Sequence, residues 1–230
     1  MRHGWNAYAS YVFDCDGVLL DSNAVKTDAF RQAALAYGEA EAEALVDYHK
    51  AHGGISRQDK FRHFFLDILA QAELPEPAYQ RLLAVYAEQV WTGLESCRIA
   101  PGALEVLQAL PTDSRRYVVS GGAEDEVRRV LEQKGLAKYF HGIYGNPANK
   151  HDLVARIQSE HGWAEPALFI GDARYDHVVA AAYGMDFLFV SGLSEFVGWS
   201  AYAAEREISV VLWLSECLKH GHIKNRVMKG

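Results

Sequence analysis

Two aspartates follow a short apolar run near the start of the chain. The segment 11–23 has the sequence YVFDCDGVLLDSN, with Asp14 and Asp16 directly after the apolar residues and Gly17 behind them. Residues two apart in extended backbone project to the same side, so one carboxylate could attack an electrophile while the other transfers a proton. Gly17 would allow a sharp turn. The same pattern is found in ordinary aspartate-rich turns, so chemistry needs support from distant residues.

A second pair of carboxylates lies much further along the chain. Asp172 and Asp176 are four residues apart in the segment GDARYD, between an apolar run and a helical stretch. One interpretation is structural, with Asp176 capping the helix and Asp172 in a turn. The other is chemical, because Asp14 and Asp172, with a backbone carbonyl and water, would form an oxygen-only site that suits Mg²⁺. Both interpretations can hold together.

Two further segments could hold a phosphate group. Ser120, Gly121 and Gly122 follow an apolar run and open a helical stretch, where a hydroxyl and free backbone N–H groups favour an anion. Lys150 precedes another helical stretch. Each is also an ordinary feature, since S-G-G is common in turns and a lone lysine is usually solvated. Their positions after strand-like runs favour the functional interpretation.

Short apolar runs that end at glycine or aspartate alternate with helical stretches along most of the chain. Their aromatic and β-branched residues predict buried strands. The predicted strands are 11–14, 116–122, 142–145, 167–172 and 186–192, with a last one near 208–211. The helical stretches between them are 101–110, 123–135 and 150–162. This alternation indicates an α/β fold with a Rossmann-like parallel sheet, in which ligands bind beyond the carboxyl ends of the strands.

Residues 23–93 interrupt this alternation. They show helical periodicity without a strand, in four stretches separated by glycine or proline. We therefore predict an α/β core domain made of residues 1–22 and 94–230, and an all-helical cap domain of residues 23–93. The sequence does not indicate a function for the C-terminal residues 213–230.

Composition excludes several classes of function. The chain has 230 residues, half of them hydrophobic, and a formal net charge of −7, which argues against general binding to nucleic acid. No apolar run is long enough to span a membrane or to resemble a secretion signal. Three separate cysteines without a CxxC pair argue against disulfides or structural zinc. We expect a cytoplasmic protein, a monomer or homodimer, whose partner is a small metabolite.

The motifs, taken together and in this order, resemble those of the haloacid dehalogenase superfamily of hydrolases. They are DCDGVLLDS (14–22), VVSGG (118–122), Lys150 and FIGDARYD (169–176). The resemblance spans the predicted core. It implies hydrolysis of a phosphoester through an aspartyl-phosphate intermediate, with Mg²⁺ as the cofactor.

The resemblance also implies roles for single residues. Asp14 would be the nucleophile that becomes phosphorylated, and Asp16 the general acid/base. Dehalogenases of the superfamily lack an acid at the second position, so Asp16 favours phosphoryl transfer, whose alkoxide leaving group needs a proton. Ser120 and Lys150 would hold the transferring phosphoryl group.

The same resemblance implies a metal site and a substrate site. The implied Mg²⁺ ligands are Asp14, Asp16 through its backbone carbonyl, Asp172 and Asp176. Asp176 would bind the metal directly, or orient its water and Lys150. Gly17 and Gly121 are predicted to line the bound substrate.

The predicted cap occupies the position of the helical cap of the phosphoglycolate phosphatase and β-phosphoglucomutase type. The segment GGISRQDKF (53–61) is similar to theirs in its G-x-S-R pattern. Arg57 would bind a substrate phosphate or carboxylate through both of its nitrogens, or else be a solvated surface residue. His49 and His52, three apart on a predicted helix, could touch the substrate, but no third ligand for zinc is visible.

The predicted function is a Mg²⁺-dependent phosphatase of a small phosphomonoester, either a sugar phosphate or a phosphorylated hydroxy acid. Two alternatives stay open. One is a hexose phosphomutase of the β-phosphoglucomutase type, which the G-x-S-R pattern supports. The other is a catalytically idle binding protein. The motifs do not name the substrate, because contacts made by the cap select it.

Overall fold

The computed structural model of the protein describes residues 3–219. Within that range the strands are β1 (Ser10–Phe13), β2 (Leu20–Asp21), β3 (Arg98–Ile99), β4 (Arg115–Ala123), β5 (Gly142–Asn146), β6 (Ala167–Gly171), β7 (Asp186–Val190) and β8 (Ser209–Val211). The α-helices are α1 (Asn23–Ala34), α2 (Glu39–Ala51), α3 (Arg57–His63), α4 (Glu76–Ser96), α5 (Ala103–Ala109), α6 (Glu124–Gln133), α7 (Lys150–His161), α8 (Arg174–Ala182), α9 (Trp199–Glu205) and α10 (Glu216–Lys219).

Six of the strands form one parallel sheet in the order β5-β4-β1-β6-β7-β8. β1 lies inside the sheet, where Phe13 is opposite Val118 of β4 and Ile170 of β6. The predicted α/β fold with a parallel sheet is therefore confirmed, including the last strand near 208–211. Since the strands are parallel, the carboxyl ends of β1, β4 and β6 meet at one edge of the sheet.

The residues of β1 alternate between the two faces of the sheet. Tyr11 and Phe13 belong to one buried apolar cluster and Val12 belongs to a second, as the two-residue period of a strand requires. Both faces are covered, which is typical of parallel sheets. Because the strand interiors are occupied by apolar packing, the polar groups of this region are placed at the strand ends.

The helices α1 to α4, which we call the helical insertion, lie between β2 and β3. These two strands pair antiparallel, with Leu20 opposite Ile99 and Asp21 opposite Arg98. The pair was not predicted, because two-residue strands leave no periodic pattern. The boundary of a separate cap domain at residue 93 stays a prediction, and α4 itself continues to Ser96.

The helical insertion packs around buried aromatic side chains. Phe30 of α1 lies within 5.2 Å of Phe61 and 4.3 Å of Tyr86, measured between ring centroids. The third of the four helical stretches predicted within 23–93, residues 56–74, is divided, because α3 passes into a π-helical turn at Phe64–Ile68. Adjacent Phe64 and Phe65 are both fully buried there. Among residues 3–219, no helix is long and apolar enough to cross a lipid bilayer.

Arg116 of β4 joins the end of α5 to the sheet. Its guanidinium is buried and donates to the backbone oxygens of Leu107, Leu110 and Pro111 at 2.8–3.1 Å. A buried carbonyl without a donor costs free energy, and hydrogen bonds from a charged donor are the stronger kind.

We predict that Arg116→Ala lowers the free energy of unfolding by about 3 kcal/mol, because it leaves these carbonyls unsatisfied. Urea unfolding measures the change. Arg115→Ala is the matched control, since Arg115 is exposed and donates to carbonyls at the surface. Equal losses for the two variants would contradict the prediction.

Candidate active site

Three carboxylates meet at the edge of the sheet. Asp14 directly follows β1, and its backbone N–H donates to Ile170 O of β6 at 2.9 Å. Asp172 follows β6, and Asp176 lies in the first turn of α8. One oxygen from each carboxylate lies within 4.8 Å of the others, and all three residues are buried. We call Asp14, Asp172 and Asp176 the carboxylate cluster.

Lys150 inserts its ammonium into this cluster. Its Nζ lies 2.7 Å from Asp14 Oδ1 and 2.6 Å from Asp176 Oδ1, and its side chain has no solvent exposure. Lys150 is the first residue of α7, whose N-cap is Asn149, which accepts from Asp152 N. Burial opposes the positive charge, but the two carboxylates outweigh it and raise the pKa of Lys150. The predicted lysine is thus at the site.

The carboxylate cluster still carries excess negative charge. Burial, together with Asp176 and Asp16, raises the pKa of Asp14 to about 7, although Lys150 opposes the rise. Burial and the charge of Asp14 also raise the pKa of Asp172 well above its ordinary value. A buried, oxygen-only donor set with unbalanced negative charge fits a hard divalent cation such as Mg²⁺.

Asp16 has its own partners, separate from the cluster. Its carboxylate forms a salt bridge with Lys26 Nζ and accepts a hydrogen bond from Ser22 Oγ at 2.6 Å. Burial favours the neutral acid, but Lys26 outweighs it and lowers the pKa of Asp16. Lys26 was not predicted from the sequence. The signal was its place one turn after Ser22, the N-cap of α1.

Asp172 is held by residues that the sequence analysis did not select. Asn23 Nδ2 donates to Asp172 Oδ2 at 2.6 Å and to Leu193 O at 2.9 Å. Ser194 Oγ donates to the backbone oxygen of Asp172 at 2.5 Å. A polar residue at the start of the first inserted helix is a weak signal, because many helices begin this way.

Gly17 makes room for Asp172. Its φ is +74°, and a Cβ built there would lie 2.2 Å from Asp172 Oδ2. Glycine is required twice, first for the left-handed backbone and second for the close approach of a carboxylate. The predicted sharp turn is confirmed, and the same residue packs directly against the carboxylate cluster.

The Ser120–Gly122 segment belongs to β4, which runs through Ala123, so the predicted strand 116–122 is confirmed. The helix that follows, α6, begins at Glu124 with Ala123 as its N-cap, one residue later than predicted. The pairing of β4 with β5 has a register irregularity between Val119 and Ala123. Ser120 is fully buried and its Oγ accepts from Gly122 N at 3.0 Å.

Asp176 is also placed differently from the capping interpretation. It is the third residue of α8 rather than its N-cap, and its Oδ2 accepts from Ala173 N at 3.1 Å. Its other oxygen accepts from Lys150. The structural and chemical interpretations of Asp176 are therefore compatible.

The helical insertion closes over the sheet edge and forms a cavity with it. The lining includes Asp14, Asp16 and Asp172 from the core side, and Gly53 and Gly54 from the insertion. A Cβ built on Gly121 would lie 2.5 Å from Gly54 O. The two sides are therefore in close contact at this point.

Arg57 lines the same cavity and is buried, so the alternative of a solvated surface residue is wrong. Both terminal nitrogens of its guanidinium bind Glu126 of α6, with Nη1–Oε1 at 2.9 Å. The guanidinium carbon also lies 4.8 Å from the centroid of the Tyr86 ring. His49 lines the cavity as well, whereas His52 is exposed.

Comparison with known proteins agrees with this geometry. A family model described as haloacid dehalogenase-like hydrolase matches residues 8–184. No curated protein matches the chain.

Solved structures share the fold at low sequence identity. One is described as a "predicted phosphoglycolate phosphatase" from Haemophilus somnus, with a TM-score of 0.74 and 17% identity, over 92% of this chain and 97% of that one. A "predicted phosphatase" from Clostridium acetobutylicum has a TM-score of 0.73 and 17% identity, over the same shares. A hydrolase from Pseudomonas syringae has a TM-score of 0.72 and 21% identity, again over 92% and 97%.

We predict that Gly17→Ala costs clearly more free energy of unfolding than Gly135→Ala. Both glycines have positive φ, +74° and +69°, but a Cβ on Gly135 meets nothing within 4 Å. The control should lose about 1 kcal/mol from backbone strain alone. Urea unfolding measures the free energy of unfolding of both variants, and the difference between them gives the cost of the clash with Asp172. Equal losses of free energy would contradict the prediction.

A second prediction concerns pH in buffer free of divalent cations. Because the pKa of Asp14 is raised to about 7 from 3.8, the folded state holds a proton that the unfolded state has released. The contribution of Asp14 to the free energy of unfolding is fully present below pH 4 and is lost as pH rises through 7. The loss is on the order of 4 kcal/mol.

The difference in free energy of unfolding between wild type and Asp14→Asn isolates this contribution. As pH rises from 5 to 8, we expect the wild type to lose free energy of unfolding relative to Asp14→Asn. The loss should be smaller when Mg²⁺ is added. A difference that is flat across this range would contradict the assignment.

Proposed function

The chain belongs to the haloacid dehalogenase-like hydrolases, and from that premise we propose that it is a Mg²⁺-dependent phosphatase of a small phosphomonoester. The observation that carries the proposal is the placement of Lys150 between Asp14 and Asp176, with Asp172 in the same cluster. A nucleophilic carboxylate, a fixed cation and an oxygen-rich metal site are the parts that phosphoryl transfer needs.

The metal would be held by the carboxylates of Asp14 and Asp172 and by the backbone carbonyl of Asp16. Asp176 would complete the site directly or through water. When bound, Mg²⁺ neutralises charge that builds up on the transferring phosphoryl oxygens. Lys150 would also neutralise this charge, since its ammonium lies 2.7 Å from Asp14 Oδ1.

In the first proposed step, an oxygen of Asp14 attacks phosphorus and the P–O bond to the alcohol breaks. Asp16 donates its proton to the leaving oxygen. In the second step Asp16, now a carboxylate, takes a proton from a water molecule as the water oxygen attacks phosphorus. The bond between Asp14 and phosphorus breaks, inorganic phosphate leaves, and Asp14 is restored.

The salt bridge between Asp16 and Lys26 bears on the first step, because Asp16 must begin it protonated. In the structure Lys26 holds the pKa of Asp16 below its ordinary value. A phosphomonoester in the cavity brings negative charge next to both residues. That charge attracts Lys26 and stabilises the neutral acid. Substrate binding would thus prepare Asp16 to donate a proton.

Ser120 and the backbone N–H of Gly121 are proposed to bind oxygens of the phosphoryl group, with Gly17 lining the same site. Support comes from the position of Ser120 in β4, two residues beyond Val118, which pairs with Phe13 at the end of β1. The small metabolite partner, the cytoplasmic location and the monomeric or dimeric state stay predictions.

The proposal is tested by phosphate release from a panel of phosphomonoesters in the presence of Mg²⁺. We expect Asp14→Asn to lower kcat by at least about 10³-fold, because the variant lacks the proposed nucleophile. Chelation of the metal should have a comparable effect. Asp28→Asn is the matched control, since Asp28 is exposed on α1 and outside the cavity lining.

Other outcomes would select the alternatives. Isomerised sugar phosphate with little free phosphate would indicate a phosphomutase. No turnover of any ester, together with tight association with another protein, would indicate a binding protein. Activity retained by Asp14→Asn would contradict the proposed nucleophile.

A further inference from the structure

Lys60 is a buried cation without a carboxylate partner. It lies in α3, lines the cavity and is only 3% exposed. Among residues 3–219, no carboxylate oxygen is paired with its Nζ within 4 Å, whereas Lys26, which lines the same cavity, and Lys150, which lies in the carboxylate cluster, have such partners. Burying an ammonium without a counter-ion is costly. An anionic ligand in the cavity would remove that cost.

His49 of α2 holds Lys60 in place. Its Nδ1 lies 2.6 Å from Lys60 Nζ, and its Nε2 lies 3.9 Å from Glu195 Oε2. Burial and the nearby lysines lower the pKa of His49 well below its ordinary value. The neutral ring can therefore accept a hydrogen bond from Lys60 Nζ at Nδ1 and carry its own proton at Nε2. An ammonium has three donors, so this contact leaves two for a ligand.

Arg57, the residue that the G-x-S-R pattern suggests for an anionic substrate group, is already neutralised. Both of its terminal nitrogens bind Glu126. Lys26 is likewise paired with Asp16. Of the described cations contributed by the helical insertion, Lys60 is thus the buried one that lacks a carboxylate. It lines the same cavity as Asp14, on the insertion side.

We propose that Lys60, positioned by His49, binds a second anionic group of the substrate, either a carboxylate or a second phosphate. This inference rests on the proposed phosphatase function and narrows it to phosphomonoesters with a further negative charge. The phosphate to be transferred lies at Asp14, and the second anion reaches toward the helical insertion. A neutral hydroxyl in that position would leave Lys60 without a counter-ion.

The environment of Lys60 also predicts a dependence on pH. Burial lowers its pKa to about 7, and Lys26 and Lys150 act in the same direction, whereas Asp16 and Glu195 oppose them. His49 is neutral, and the pKa values of Lys26 and Lys150 are raised, so these three do not change charge near pH 7. The ammonium of Lys60 is thus present below pH 7 and is lost above it.

The test compares three-carbon phosphomonoesters that differ only in their terminal group, which is a hydroxyl, a carboxylate or a second phosphate. We expect wild type to prefer one or both anionic esters over the hydroxyl ester by at least about 10-fold in kcat/KM. The anionic ester with the higher kcat/KM shows whether Lys60 binds a carboxylate or a second phosphate. The preference should decrease as pH rises from 6 to 8.5.

Lys60→Met and Lys60→Gln should remove most of this preference, measured as the ratio of kcat/KM for the anionic esters to kcat/KM for the hydroxyl ester. Lys138→Met removes a charge from an exposed lysine and should leave the preference intact. Circular dichroism and urea unfolding report whether each variant is folded.

The two proposals fail in different ways. If wild type hydrolyses neither these three esters nor any other phosphomonoester of the panel, the proposed function fails. If it hydrolyses other esters of the panel, all without a second anionic group, only the assignment of Lys60 is overturned. If it hydrolyses all three without preference, or if both Lys60 variants keep the preference, only the assignment of Lys60 is overturned. Should both variants be unfolded, the pH dependence of the wild-type preference decides, and a preference that is constant from pH 6 to 8.5 overturns the proposal.

Discussion

The site depends on one buried charge, the ammonium of Lys150 between Asp14 and Asp176. Carboxylates gathered in a buried place repel each other and resist ionisation, so without a cation the ends of β1 and β6 could not bring Asp14 and Asp172 together. Lys150 comes from the beginning of α7, so a third element of the core is tied to the same point. The remaining excess of negative charge is what makes a divalent cation a suitable ligand.

The helical insertion is connected to the core by ion pairs as well as by the polypeptide backbone. Lys26 of α1 reaches Asp16, and Arg57 of α3 reaches Glu126 of α6. Both contacts are largely buried, where ion pairs are screened less than at the surface. The cavity therefore has an acidic side on the sheet and a basic side on the insertion. An anionic substrate placed between them would interact with both, and would compete with the carboxylates for the cations.

Close backbone approach is the second constraint on this arrangement. Gly17 leaves space for Asp172, and Gly121 leaves space for the backbone oxygen of Gly54. A side chain at either position would separate groups that have to lie within a few ångströms of each other. These glycines therefore fix how near the insertion and the carboxylate cluster can come.

The sequence by itself determined the six strands of the parallel sheet, because apolar runs mark buried strands. It also predicted which polar side chains gather, because parallel strands end at one edge. Asp14, Asp172, Asp176 and Lys150 follow from that rule, and the structure brings them together as expected. The tertiary structure alone decided which cations of the insertion face the site. Helical periodicity gives the buried face of a helix but not its orientation against the rest of the fold, so Lys60 and the pairing of Arg57 with Glu126 left no signal, and Lys26 left only its place one turn after Ser22. The same limit applies to β2 and β3, whose two-residue strands form only because the helices between them return to the core.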